Sequence, residues 1–124
     1  MNEIQLDDAT LRDAMQGEGM SLSAEEKLRV AHRLDELGIE LIEAGFPASN
    51  PKERELFELL ASERVRQAQI AAFGMTRRRG VSASRDSALR MLADSVAPLC
   101  TLVGKTWCCT SRSSSRSTAR RTCA

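Results

Sequence analysis

The sequence predicts an α/β fold built from repeated strand–helix units, and three observations predict it. Short apolar runs begin near residues 4, 39, 69 and 99, at separations of 35, 30 and 30 residues. Segments with helical start signals lie between them. The second run, Ile39 to Ala44, is apolar without clean alternation, as strands of a doubly covered parallel sheet tend to be. An eight-unit (β/α)8 barrel of ~250 residues allots about 31 residues to each unit. The spacing therefore suits about three and a half barrel units. A doubly wound sheet has similar spacing and stays open on this ground. Four strands complete neither architecture, so the 124 residues read as part of a larger domain.

Ile4-Gln5-Leu6 is the first expected strand. It leads into Asp8-Ala9-Thr10-Leu11-Arg12-Asp13-Ala14-Met15-Gln16, a loop carrying acids, a guanidinium and an amide. In parallel α/β sheets that loop lies at the edge where ligands bind. Carboxylates there often hold a hard metal ion, and an Arg suits a carboxylate substrate. The plain alternative is a solvated loop in which Arg12 pairs with Asp13.

After the Gly17-Glu18-Gly19 break, Ser23 and Glu26 form a capping-box pattern, and a helix is expected to start there. Ala24, Leu28, Ala31, Leu34 and Leu37 make one stripe, with Gly38 as the stop. Lys27, Arg29, Arg33 and Glu36 are then the expected wet face, and His32 has no evident partner. Glu43 interrupts the second strand, a costly place for a carboxylate unless it is paired or faces an open site. Asn50 with Pro51 starts the next helix, which should pack Leu56, Leu59 and Leu60, flanked by Phe57, onto the sheet. Gln69 to Phe73 is the third strand. A third helix fits Ser84 to Asp94, with Ala88, Leu89, Met91 and Leu92 inward. Leu99 to Val103 is the fourth strand.

Composition narrows the classes. Apolar content of 42% and charged content of 28% are ordinary for a globular chain. The net charge of +1 names no partner, but four of the 18 basic residues and no acid follow Trp107. No apolar run approaches the roughly 20 residues of a membrane span, and no signal-peptide pattern is present. The cytoplasm is the expected compartment and no membrane partner is expected. Cys108 and Cys109 are adjacent, which does not match zinc-ligand spacing.

Four motifs fall at the ends of the four expected strands. Thr10-Leu11-Arg12-Asp13-x-x-Gln16-Gly17-Glu18-Gly19 resembles the opening motif of the pyruvate-carboxyltransferase-like condensing enzymes. That group includes the isopropylmalate, homocitrate and citramalate synthases and the hydroxymethylglutaryl-CoA lyases. Ile42-Glu43-Ala44-Gly45-Phe46-Pro47-Ala48-Ser49-Asn50-Pro51 resembles its second-strand motif. Ala72-Phe73-Gly74-Met75-Thr76-Arg77-Arg78 and Val103-Gly104-Lys105-Thr106-Trp107 are most similar to the citramalate synthase branch. Phe46-Pro47-Ala48 leans instead towards the isopropylmalate synthases.

The resemblance implies the N-terminal part of a TIM (β/α)8 barrel over residues 1–107. It implies a divalent metal (Mg, Mn or Zn), acetyl-CoA and a 2-oxo acid, pyruvate first, and homodimeric full-length relatives. Asp13 would be a metal ligand. Arg12 would hold the 2-oxo acid and polarise its carbonyl, and Gln16 would line the site. Glu43 and Phe73 are substrate-side candidates, each with a structural alternative. Arg77 and Arg78 could meet CoA phosphates, with a solvated loop as the plainer reading. Ala14 stands where the family has Gly, which would be unfavourable if that position needs a positive φ.

The family's His-x-His metal pair and catalytic glutamate have no counterpart before residue 107, so this chain is expected to be inactive by itself. Residues 108–124 change composition abruptly. They read either as an Arg/Ser segment binding nucleic acid electrostatically or as a translated frameshift. The second reading is preferred, and nucleic acid is not the expected partner. Cys108 to Ser111 and Ala119 to Ala124, back-translated with suitable codons and shifted by one base, return V-L-H-V-T and R-E-E-N-L-R. Both are similar to family sequence.

Overall fold

A computed structural model of the chain describes residues 4–105. Four strands alternate with three helices: β1 (Asp7–Asp8), α1 (Ala24–Glu36), β2 (Leu41–Gly45), α2 (Pro51–Ser62), β3 (Gln69–Met75), α3 (Ser87–Ala93) and β4 (Leu99–Val103). All neighbouring pairs are parallel and the sheet order is β1-β2-β3-β4. A doubly wound sheet reverses its order at a switch point, whereas a barrel adds each strand beside the last. The sequential order is that of a partial (β/α)8 barrel. The expectations for residues 108–124 lie outside the described residues.

Register separates the two faces of the sheet. Ile42 pairs with Ile70, and with Ala44 and Ala72 they join Leu28, Ala31, Leu56, Phe57, Leu60 and Leu92 in one core. Burying a side chain such as Ile42 or Leu56, each 0% exposed, contributes roughly 1.5–3 kcal/mol. Glu43 pairs with Ala71 and Phe73 with Thr101, so these four belong to the opposite face, the interior side of a barrel. At Gly74 a Cβ would stand 2.6 Å from Leu92 Cδ2, so a side chain there would have to displace the Leu92 tip by which α3 seats on the sheet.

The start signals act as read. Ser23 and Glu26 form the reciprocal capping box, and Asn50 Oδ1 accepts from Glu53 N–H with Pro51 opening α2. Several boundaries differ. The first strand is Asp7–Asp8 rather than Ile4 to Leu6, although the Leu6 carbonyl already accepts from Leu41 N–H at 3.0 Å. Ile4 and Leu6 are 82% and 56% exposed. Leu37 leaves the α1 stripe at 78% exposure because the chain turns at Gly38, whose φ is +85°. α3 starts at Ser87, not Ser84, since Asp86 caps it by accepting from Ala88 and Leu89 N–H. A helix that short brings Leu92 fully inward and leaves Met91 exposed.

Lys27 overturns a larger expectation. It is buried, not on the wet face, and its ammonium pairs with Glu53 of α2. Spacing put it outside the apolar stripe, but the stripe says nothing about a neighbouring helix that supplies a carboxylate. Ala14 carries no strain, because Val96 is the one non-glycine with positive φ among the described residues.

Candidate active site

The loop after β1 alternates its side chains between core and site. Asp8 closes the turn, accepting from Thr10 N–H at 2.9 Å and from Thr10 Oγ1 at 3.1 Å. Arg12 and Asp13 N–H groups both donate to the Ala9 carbonyl. Leu11, fully buried, anchors the turn in the core. The same tight turn directs Arg12 over the other face of the sheet.

Arg12 is held on three sides. Its Nε donates to Glu43 Oε2 at 2.6 Å, and its Nη1 donates to Asp13 Oδ1 at 2.9 Å. Its guanidinium carbon lies 4.5 Å from the centre of the Phe73 ring. Phe46 meets Phe73 edge to face, centroids 5.7 Å apart at 80°. The cation is thereby oriented by two carboxylates and a ring face. Its Nη2 has no hydrogen-bond partner among the described residues, and the Arg12 side chain keeps 21% of its exposure. A guanidinium with free, fixed donors is suited to bind a planar carboxylate.

Glu43, a carboxylate in an apolar strand that needs a partner or an open site, is buried and paired with Arg12. Phe73 is half-buried beneath the cation. Asp13 is 66% exposed at its side chain. Gln16 sits in a 3-10 turn spanning Ala14–Gln16, is exposed, and makes no side-chain hydrogen bond among the described residues. The structure thus brings Arg12, Asp13, Glu43 and Phe73 together and leaves Gln16 outside that contact set. Arg77 Nη1 donates to the Val81 carbonyl and Arg78 N–H donates to Asp86, so both serve their own loop, with side chains in solvent.

Two participants were missed. Phe46 stands in the sequence only within the second-strand motif and its Phe46-Pro47-Ala48 segment, with nothing to pair it with Phe73. Asp7 shares the sheet face of Glu43, and its carboxyl is held above the usual carboxylate range. Desolvation is the first cause, muted by the exposure the residue retains, and the charges of Glu43 and Asp8 add to it while Arg12 opposes. The signal was the Asp7-Asp8 pair at a strand end, where two adjacent acids fall on opposite faces.

A divalent ion finds little here. Asp13 offers one exposed carboxylate already shared with Arg12, and no group of three His, Cys, Asp or Glu side chains gathers among the described residues. Hard cations take about six oxygen ligands, so these residues alone do not fit a metal centre. A cleft of about 280 Å³ lined by Phe57, Leu60, Val65, Ile70, Val96 and Pro98 lies on the helix side, away from Arg12. Among the described residues no helix is long and apolar enough to cross a membrane.

The chain is 47% identical to an (R)-citramalate synthase of Geobacter sulfurreducens over 86% of its own length and 20% of that relative. It is 41% identical to the (R)-citramalate synthase of Aquifex aeolicus over 81% of the chain and 19% of the relative. A 2-isopropylmalate synthase of Halothermothrix orenii is 40% identical over 65% of the chain and 16% of the relative. The chain spans about a fifth of the length of the citramalate synthases it matches. The HMGL-like family model matches residues 3–115, past the change in composition at residue 107. With that match covering most of its length, the chain belongs to the HMGL-like family.

Proposed function

We propose that this chain supplies the 2-oxo-acid side of a citramalate synthase-type site, in which acetyl-CoA condenses with pyruvate. The observation that carries the reading is Arg12, fixed by Glu43, Asp13 and Phe73 with Nη2 donors left over. Those donors hold the pyruvate carboxylate or the ketone oxygen beside it. In the condensation, the enolate carbon of acetyl-CoA bonds to the ketone carbon and the ketone oxygen becomes an alkoxide. A preorganised guanidinium stabilises that charge more than it stabilises the neutral ketone, which lowers the barrier. Water then cleaves the thioester, releasing CoA and citramalate.

The divalent metal (Mg, Mn or Zn) implied by the family resemblance needs ligands beyond Asp13, and residues 4–105 do not provide them. For that reason the 124-residue chain is proposed to bind its 2-oxo acid without turnover. Acetyl-CoA, homodimer formation and a cytoplasmic location belong to the same reading. Residues 108–124 are taken as out-of-frame sequence. Sequencing the gene tests this, and finding no shifted frame that continues the barrel would sink it.

Pyruvate is favoured over a branched 2-oxo acid on two grounds. The Phe73 ring lies against the guanidinium with Phe46 packed edge to face on it, and two rings beside the cation leave less room for a bulky side chain. The citramalate synthases align over 79–86% of the chain, the isopropylmalate synthases over 58–70%. The Phe46-Pro47-Ala48 motif is the specific feature favouring 2-isopropylmalate synthase chemistry with 2-oxoisovalerate. A CoA-release assay with each 2-oxo acid, run on the chain and on the frame-restored gene, separates these readings. The restored protein should turn over pyruvate. Turnover with 2-oxoisovalerate alone would move the assignment, and turnover by the short chain would refute its inactivity.

A further inference from the structure

We propose that Glu53, held between α1 and α2 by the Lys27 ammonium, is a positioning residue that sets the orientation of Arg12 through Phe46 and Phe73. The proposal rests on the reading of Arg12 as the 2-oxo-acid ligand. Lys27 of α1 and Glu53 of α2 meet with side chains only 6% and 12% exposed. Glu53 Oε1 takes the ammonium, and its Oε2 accepts the Phe46 backbone N–H at 3.2 Å. Glu53 is itself fixed at the start of α2 by its own N–H bond to Asn50 Oδ1, 3.0 Å. The Phe46 carbonyl accepts from Ser49 N–H and Ser49 Oγ. Both backbone polar groups of Phe46 are therefore tied down. Its ring abuts Phe73, and Phe73 carries the guanidinium of Arg12.

Gly45 leaves room for the carboxylate at this spot. A Cβ at residue 45 would collide with the Glu53 carboxylate, so the strand ends on the one residue that leaves room. Packing of α1 on α2 does not by itself call for charges, because a buried ion pair contributes about as much stability as an apolar pair of similar volume. What the carboxylate adds is direction: an acceptor at one backbone amide of the aromatic loop. Glu53 and Lys27 touch neither substrate nor reacting atoms, so both are positioning residues.

The test uses the full 124-residue chain labelled with ¹⁵N. The Arg12 Nε–Hε resonance is assigned by its disappearance in Arg12→Lys, and stacking on Phe73 should shift it upfield. Glu53→Ala should abolish that shift and weaken pyruvate binding roughly tenfold, the loss of one well-aimed charge-assisted bond. The double variant Lys27→Met/Glu53→Gln keeps an acceptor for the Phe46 amide and should restore both. If Glu53→Ala merely lowers the melting temperature and leaves the resonance in place, the proposal is overturned. Should Glu53→Ala not fold, Phe46→Leu decides, since an unmoved Arg12 resonance in that variant also overturns it. Failure of the parent chain to bind pyruvate would count against the site reading alone, because the resonance still reports on positioning.

Discussion

Two ion pairs tie this structure together across long sequence separations, and they are finished differently. Lys27–Glu53 joins two helices and is sealed, with the second oxygen of Glu53 used by a backbone amide. Arg12–Glu43 joins a loop to a strand, with Glu43 just as buried but Arg12 left partly open. Both obey the rule that a buried charge needs a partner. The difference lies in what remains after pairing. Glu53 has no oxygen left over, whereas Arg12 keeps oriented donors facing the interior side of the sheet. Unused, fixed hydrogen-bonding capacity is what separates a candidate binding group from structural glue.

The contrast can be broken most forcefully at the sealed pair. Glu53→Ala strands the Lys27 ammonium between α1 and α2 and should cost about 3–5 kcal/mol, measured by urea unfolding. A loss below about 1 kcal/mol would mean that Lys27 escapes to solvent and that the pair is not sealed.

Asp35 supplies, for comparison, a fixed carboxylate held mainly by backbone amides. It is buried and accepts the N–H groups of Arg66, Gln67 and Ala68 at 2.7–2.8 Å. Asp35→Ala should cost about 3 kcal/mol through unsatisfied amides. Burial alone would raise its pKa, but the three amides, helped by the charge of His32, outweigh that and hold the carboxyl below the usual carboxylate range. Its stabilisation is therefore present above the ordinary Asp pKa and is lost as pH falls through the lowered value. Acid titrations of stability should show a shallower decline in Asp35→Asn, and an unchanged acid limb would refute the linkage.

Smaller effects belong to the open pair. Phe73→Leu removes the ring face beneath Arg12, and about 1 kcal/mol of stability should go with it. Pyruvate binding should weaken in the same variant, by isothermal titration. Arg12→Lys keeps a cation for Glu43 and should change stability by less than about 1 kcal/mol, yet it loses the planar donor fork. Calorimetry should show pyruvate binding reduced far beyond the stability change. A lysine variant that binds as well as the parent would remove the distinction drawn between the two pairs.

Much of the fold was legible because its signals are local. The Ser23/Glu26 box, the Asn50-Pro51 start and the Gly38 stop each concern a few adjacent residues whose backbone groups need partners. The ~30-residue spacing and the four strand-end motifs carried the barrel reading. Elements failed where the deciding contact was distant. Asp86 took the cap of α3 because it also accepts Arg78 N–H from the preceding loop, and Ser84 had no such tie. Of the site, Arg12 and Asp13 stood out by their neighbourhood, and Glu43 by its odd place in an apolar strand. Phe46 and Asp7 did not, since an aromatic in a loop and an acid beside another acid are ordinary until a fold assembles them.

By itself, the sequence determined the units: the starts of α1 and α2, the βα period, and an acid–base loop at a strand end. These follow from periodicity and capping, which act over a few residues. Only the tertiary structure decided the order of the strands, which distinguishes a barrel from a doubly wound sheet. It alone decided that Lys27 lies inside rather than in solvent. It also chose which carboxylate Arg12 would pair with and which donors it would keep. Those outcomes depend on groups 26 to 31 residues apart, and a pairing at that range is fixed by packing rather than by any local preference of the chain.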